Sequence, residues 1–271
     1  MCIFRSLLNK GKPKPIDSEP QHTEDPTGID SSTSTHIGDQ NEPEQEMKDH
    51  GKLIVHIDNG HASTTAGKRS PAALIGLSYG NHTVDELTLY EYQYNRRVSK
   101  AVNEKLKKLG FKTYMVTPEL DYDVPVKVRA NRSNDMKNRY PELKHIFISC
   151  HVNAHGNGDK WDTGNNAAYW SAFTSVGQTA GDKLADCFYE AAEEILPRYG
   201  IQISTQTSDG DKDWEANYTV LKETDIPAVL VESLFMTNID NVLFLKSKEG
   251  FDAIVEIYVR AVIKYFDKYV K

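Results

Sequence analysis

The chain is poor in cysteine: Cys2, Cys150 and Cys187 are the only three among 271 residues. An odd count at wide spacing supplies neither a disulfide framework nor a CxxC metal knuckle. Such usage suits synthesis in a reducing compartment. Long apolar runs are also missing, and none approaches the about 20 residues that a membrane-spanning helix needs. No integral membrane segment is expected. The opening Met1 to Leu8 has an apolar core too short for a secretory signal and lacks a small-residue cleavage site. Lys10, Lys12 and Lys14 beside it leave room only for a weak membrane-surface tether. Basic residues are not in excess: 32 Lys and Arg stand against 39 Asp and Glu, a formal net charge of -7. There is no basic stripe, so no nucleic-acid partner is expected. Internal repeats are absent.

What is present divides the chain in two. Residues 11–50 are rich in Pro, Ser, Thr, Asp, Glu and Gln and hold almost no large apolar side chain. Such a segment cannot bury enough surface to offset its ordering entropy. Residues 1–50 are therefore expected to form a disordered tail or spacer that carries most of the net acidity. Residues 51–271 are expected to form one domain. The 39% hydrophobic content is enough for a sizeable core there, while a mean hydropathy of -0.56 says that some of the length does not pack.

Within the second part, strand and helix patterns alternate. Leu53-Ile54-Val55-His56-Ile57 reads as a β-branched strand stopped by Asp58-Asn59-Gly60-His61, with Gly60 permitting a sharp turn. A long loop follows, Ala62 to about Asp85, of a kind that is usually functional. From Glu86 to Leu109 apolar residues recur at helical spacing, and Gly110 reads as the stop. Phe111 to Val116 is a second strand, and a polar stretch with a short helix, Asp121 to Tyr140, leads to the central one. There Ile146-Phe147-Ile148 reads as strand buried on both faces, running into Ser149-Cys150-His151-Val152-Asn153-Ala154. An aromatic-rich strand (Ala167 to Phe173), a helix (Gln178 to Leu196), a strand (Ala228 to Val231) ending in Glu232, and a last helix (Ser247 to Tyr269) complete the pattern. The expected fold is α/β, a mostly parallel twisted sheet with helices on both faces.

Three strands thus end in His61, His151 and Glu232, and an adjacent helix carries Glu91. Ligands of open α/β sheets sit at that carboxyl edge. A lone buried histidine is an ordinary core residue, but the company of His151 is not ordinary. A carboxylate placed after Val229-Leu230-Val231 is expensive unless paired, protonated or metal-bound. Two imidazoles and one carboxylate are the ligand set of a catalytic zinc, and a further carboxylate can move protons in metal-assisted hydrolysis of an amide. The spacing is not that of an HExxH helix, because Val152 fills the Glu place between His151 and His155. A thiol hydrolase built on Cys150 and His151 is disfavoured, since neighbours in a strand face opposite ways.

Taken together, Asp58-Asn59-Gly60-His61, Glu91 with Asn95, Arg129 with Asn134, Ser149-Cys150-His151-Val152-Asn153-Ala154, and Pro227-Ala228-Val229-Leu230-Val231-Glu232 followed by Phe235 and Asn238 resemble the zinc-dependent N-acetylmuramoyl-L-alanine amidases of the type-3 family. The resemblance runs in order from about Lys52 to the C-terminus. It implies cleavage of the amide between the lactyl group of N-acetylmuramic acid and L-alanine in peptidoglycan. It also implies that His61, Glu91 and His151 hold one Zn2+ per chain, with Glu232 as general base and acid.

The departures from the family pattern are local. Asn59 replaces a usual Pro and Ala62 a usual Gly, and Cys150 replaces an apolar residue and is expected to face the core. The stretch from Asp135 to Lys144 reads as a small insertion. A longer gap after His61 makes Glu86 a rival ligand, although Glu91 keeps the asparagine four residues on. Lys68, Arg69, Tyr79 and Trp214 are expected to grip acidic and sugar groups of the substrate. Asp58 is expected to orient a metal-bound imidazole as a hydrogen-bond acceptor. Two rival functions share these residues: a zinc peptidase or carboxypeptidase acting within the stem peptide, and a non-catalytic peptidoglycan-binding module. A monomer made in the cytoplasm is expected to reach the wall either as a phage or prophage endolysin or by an unrecognised export route.

Overall fold

The computed structural model of the chain describes residues 49–71, 82–119, 121–162, 167–206 and 210–271. The predicted tail lies outside these, apart from its last two residues. β1 (Leu53–Asn59), β3 (Lys144–Asn153) and β7 (Ala228–Phe235) run side by side and parallel at the centre of the sheet. β2 (Lys112–Met115) extends it in parallel on the β1 side. On the other side β4 (Tyr169–Thr174) lies antiparallel to β7 and carries the short strands β5 (Gln202–Ile203) and β6 (Trp214–Glu215). The order is β2-β1-β3-β7-β4-β5, with β6 also on β4. The mostly parallel sheet expected from the alternating pattern is present.

Helices cover both faces. α2 (Glu91–Lys108), α4 (Asp182–Ile195) and α7 (Lys248–Tyr269) pack on one side, where Ile146, Ile148 and Cys150 meet Val102, Phe188 and Tyr258. α3 (Val126–Arg139) and α5 (Thr219–Lys222) sit together over a smaller core of Val116, Phe147, Val220, Leu221 and Leu230. Alternation along the strands assigns these faces. The residues between the Ile146, Ile148 and Cys150 set therefore point to the thinner side, and His151 follows Phe147 and Ser149 there. Burying apolar side chains on both faces, at about 25 cal/mol per Å², is what stabilises this three-strand centre. The functional groups hang from its edge. Among the described residues no helix is long and apolar enough to cross a membrane.

The helix expected from Glu86 to Leu109 is broken. α1 (Val84–Leu87) ends at Thr88, and α2 begins only at Glu91. The loop segment 68–70 captures the intervening backbone. Ser70 N and Oγ bond to Leu89 O (2.8 Å) and Leu87 O (2.8 Å), Leu89 N donates to Ser70 Oγ (2.9 Å), and Glu91 N donates to Lys68 O (3.1 Å). A chain whose amides are taken by a neighbouring segment cannot continue its own i to i-4 ladder. Glu91 becomes the first residue of an eighteen-residue helix. The stop at Gly110 is as expected, with a φ of 87° in the left-handed region. α6 (Ile239–Lys246), capped by Asn238 accepting from Asn241 N at 3.0 Å, was not foreseen.

Candidate active site

Parallel register brings the predicted residues together. His151 of β3 lies directly across from Glu232 of β7, and Asn59 of β1 across from Cys150. Two residues past β1, His61 adopts a left-handed φ of 64°, which turns its imidazole back over the sheet edge. Glu91 reaches the same point from the first turn of α2, where the helix dipole favours a carboxylate. Gly60 is not at positive φ, so the sharp turn expected of it is made by His61 instead. Its role is close approach: a Cβ there would lie 2.3 Å from His151 Cε1 and 2.6 Å from Nδ1 and Nε2.

Glu91 binds the two imidazoles. Its Oε1 lies 3.0 Å from His151 Nδ1 and accepts from Val152 N at 3.2 Å, while Oε2 lies 3.5 Å from His61 Nε2. The histidine rings stand perpendicular, 5.0 Å between centroids. One ligand atom from each of the three residues falls within 4.8 Å of the others. Glu91 is 1% exposed, yet among the described residues its Oε2 has no hydrogen-bond partner. A buried carboxylate oxygen left in this state is the signature of a group built to meet a cation. Burial pushes the His61 imidazole down to about 4, with Glu91 opposing and His151 and Lys68 assisting, so its lone pair is free at neutral pH. Around His151, burial disfavours the imidazolium, but the hydrogen bond and charge of Glu91 outweigh it and hold the pKa up. The donor set of two imidazoles and one carboxylate fits zinc.

Glu232 stands beside this trio without a hydrogen bond to it, and among the described residues its buried Oε2 has no hydrogen-bond partner. Burial pushes its carboxyl up to about 7, with His151 opposing and Glu91 adding to the rise. A carboxyl so placed can take and return a proton near neutrality.

Asp58 does not touch an imidazole directly; it reaches His151 through an intermediary. Its Oδ2 accepts from Ser149 Oγ (2.7 Å), and Ser149 Oγ lies 3.2 Å from His151 Nε2. On its other side Asp58 Oδ1 accepts from Thr117 Oγ1 and Arg129 at 3.1 Å each. Arg129 is 4% exposed and its second arm reaches Asp123 Oδ1 at 2.8 Å. Ser149 was missed as a functional residue, although its position two before His151 in a strand puts both on one face. Asn59 uses its amide N–H on Thr117 Oγ1 (3.1 Å) and its side chain on Thr117 O (2.8 Å). The usual Pro could not make the first of these bonds.

The other expectations divide. Lys68 lines the cleft. Arg69 does not: it lies over the Tyr90 ring at 5.4 Å. Trp214 is in β6, packed on Phe173 at 6.2 Å and away from the cleft. Tyr79 lies outside the described residues. Glu86 is 54% exposed and reciprocates the Thr83 cap of α1, so the structure gives no support to it as a rival ligand. His155 is exposed, with its backbone N–H on Thr237 Oγ1. Cys150 is buried in the main core, as expected. Asn134 clamps α3 to the loop before β7 through Glu223 O (2.9 Å) and Asp225 N (2.8 Å).

A cleft crosses this site. On one side a cavity of about 440 Å³ is walled by Asp123, Val126, Arg129 and Thr219; on the other, one of about 340 Å³ is walled by Gly67, Asn153, Gly156 and Met236. Lys68, His151, Tyr218 and Glu232 line both. Tyr218 carried no signal in the sequence.

Residues 55–264 match the N-acetylmuramoyl-L-alanine amidase family. The chain belongs to this family. The family read from the motifs is therefore the one found. The chain is 27% identical over 207 residues to the endolysin of Bacillus phage SPP1, across 75% of this chain and 62% of the endolysin's length. The amidase-family fold is shared with the N-acetylmuramoyl-L-alanine amidase of Clostridium difficile 630 (TM-score 0.58, 23% identity, 81% of this chain and 99% of that one). It is shared too with Ami1 of Mycobacterium smegmatis (TM-score 0.57, 21% identity, 79% and 97%).

Proposed function

We propose that this chain is a zinc-dependent hydrolase of peptidoglycan that cuts the amide between N-acetylmuramic acid and L-alanine. Convergence of His61, Glu91, His151 and Glu232 at one cleft carries this proposal, and family membership supplies the substrate class. His61, Glu91 and His151 would hold the zinc. Zinc bound there would supply Lewis acidity toward a scissile carbonyl and toward water. Glu232 takes the proton of the attacking water and returns it to the L-alanine nitrogen as the C–N bond breaks. Cavities on both sides of Glu232 leave room for a glycan on one flank and a peptide on the other. Lys68 is the cation available to a substrate carboxylate or to charge developing beside Glu232. The endolysin relative is consistent with a role in wall lysis.

Mass analysis of fragments released from purified wall by the zinc-loaded chain tests this directly. Intact glycan and stem peptides with a free L-alanine amine are expected. A new amine inside the stem peptide points to a peptidase, and release of nothing at all leaves a binding module.

Ser149 tests how the imidazole is held. Ser149→Ala removes the bridge between Asp58 and His151, and loss of such an outer partner weakens metal binding by about 10–100-fold. Competition with a chelator reads the change, while circular dichroism is expected to show the fold intact. Unchanged zinc affinity would mean that the relay does not orient His151.

A further inference from the structure

Beyond the cleft, a second group of carboxylates is gathered on the opposite flank of the sheet. Asp182 begins α4, and Asp211 and Asp213 lie in the segment that leads into β6. One oxygen from each of the three falls within 4.8 Å of the others. We propose that Asp182, Asp211 and Asp213 form a second cation site, for Ca2+, that fastens the 211–215 segment to β4 and to the start of α4.

The buried member makes this more than an acidic cluster. Asp213 is 1% exposed; its Oδ2 accepts from Thr174 Oγ1, while its buried Oδ1 meets no hydrogen-bond donor among the described residues and faces the Asp211 carboxyl instead. Asp182 is also buried, and among the described residues its two oxygens accept only from Thr179, at N (2.6 Å) and Oγ1 (2.7 Å), which leaves a lone pair on each. The lysines adjacent in sequence are engaged elsewhere. Lys212 pairs with Glu193 at 2.5 Å and Lys183 lies over the Tyr269 ring. Among the described residues neither Asp182 nor Asp213 has an ion-pair partner. Carboxylates crowded in this way need either a shared proton or a metal. Burial, with Asp211 and Asp182 adding to it, pushes the Asp213 carboxyl up to about 7, so a proton is held only weakly at neutral pH.

An all-oxygen, carboxylate-rich set selects a hard cation, and Ca2+ tolerates irregular geometry with water completing its shell. Asp211 is partly buried rather than sealed, unlike Asp182 and Asp213, so the ion would enter from its side. The site has a mechanical consequence. Trp214 packs on Phe173, and Phe173 packs on Tyr218 at 5.6 Å, so the wall of the cleft is reached from the ion by two aromatic contacts.

Calorimetric titration of the zinc-loaded full chain with Ca2+ is the test, paired with thermal melting. The expected result is one saturable Ca2+ site, a higher Tm with Ca2+, and affinity reduced by at least about tenfold in both Asp211→Asn and Asp213→Asn, since charge count tunes such sites. Asp211 is partly solvated, so Asp211→Asn decides the matter if Asp213→Asn does not fold. No saturable binding by the wild-type chain, or wild-type affinity in the variants, overturns the proposal. An Asp213→Asn chain that is more stable and indifferent to Ca2+, beside a wild type that binds none, would assign the shared proton instead.

Discussion

Glu232→Gln is expected to stop wall hydrolysis while zinc content stays at about one per chain, as a site with three protein ligands and an open position requires. The substitution keeps the shape of the side chain and removes its ability to move a proton. General acid–base groups contribute about 10²–10⁴-fold, so the residual rate should fall by that order. Stability should not suffer. The carboxyl is already held up to about 7 by burial, so ionising it in the folded chain is unfavourable and a neutral amide removes that burden. Fragment release and metal analysis on the same sample separate the two effects. Hydrolysis near the wild-type rate in Glu232→Gln would take Glu232 out of the chemistry, and loss of zinc would make it a ligand.

Gly60→Ala should be nearly as damaging, although Gly60 has no functional group. The new Cβ would sit 2.3–2.6 Å from three ring atoms of His151. That ring cannot swing clear without leaving Glu91 on one side and Ser149 on the other. Backbone movement is equally restrained, because Gly60 N donates to Cys150 O at 3.0 Å and Gly60 O accepts from Asn95 Nδ2 at 3.1 Å. Something in the metal trio must therefore shift. Misplacement by about 1 Å costs on the order of 10²-fold in rate. Weakened zinc binding and a loss of hydrolysis of that order are expected from a chain that still folds. Wild-type activity in Gly60→Ala would mean that the His151 ring does not occupy this position in the working enzyme.

Much of this was legible in the sequence because it depends on local periodicity. Runs such as Leu53 to Ile57 and Ala228 to Val231 are short, rich in β-branched residues and bounded by turn formers or polar residues, which marks them as buried strands, and a histidine or glutamate at the end of such a run stands out against its surroundings. Helix stops at Gly110 and helix starts at Ser247 follow from backbone chemistry alone. Features set by distant partners were not legible. Helical periodicity continues through Thr88-Leu89-Tyr90, and only the capture of that backbone by Ser70 breaks the helix. The same capture separates Lys68 from Arg69: neighbouring residues of an extended segment point opposite ways, so one faces the cleft and the other lies on Tyr90. Trp214 looked like a ligand-gripping aromatic because nothing nearby in sequence announces β6. Its partner Phe173 lies forty-one residues earlier. Ser149 was within reach of the period-two rule, yet a hydroxyl in a buried strand becomes informative only once Asp58 is known to lie across from it.

The central claim is that His61, Glu91 and His151 share one divalent ion with Glu232 beside it. Anomalous diffraction at the zinc edge from crystals of the zinc-loaded chain tests it most directly. A single strong peak enclosed by His61 Nε2, His151 Nδ1 and the Glu91 carboxylate is predicted. A zinc-loaded crystal with no peak among these three residues would contradict it.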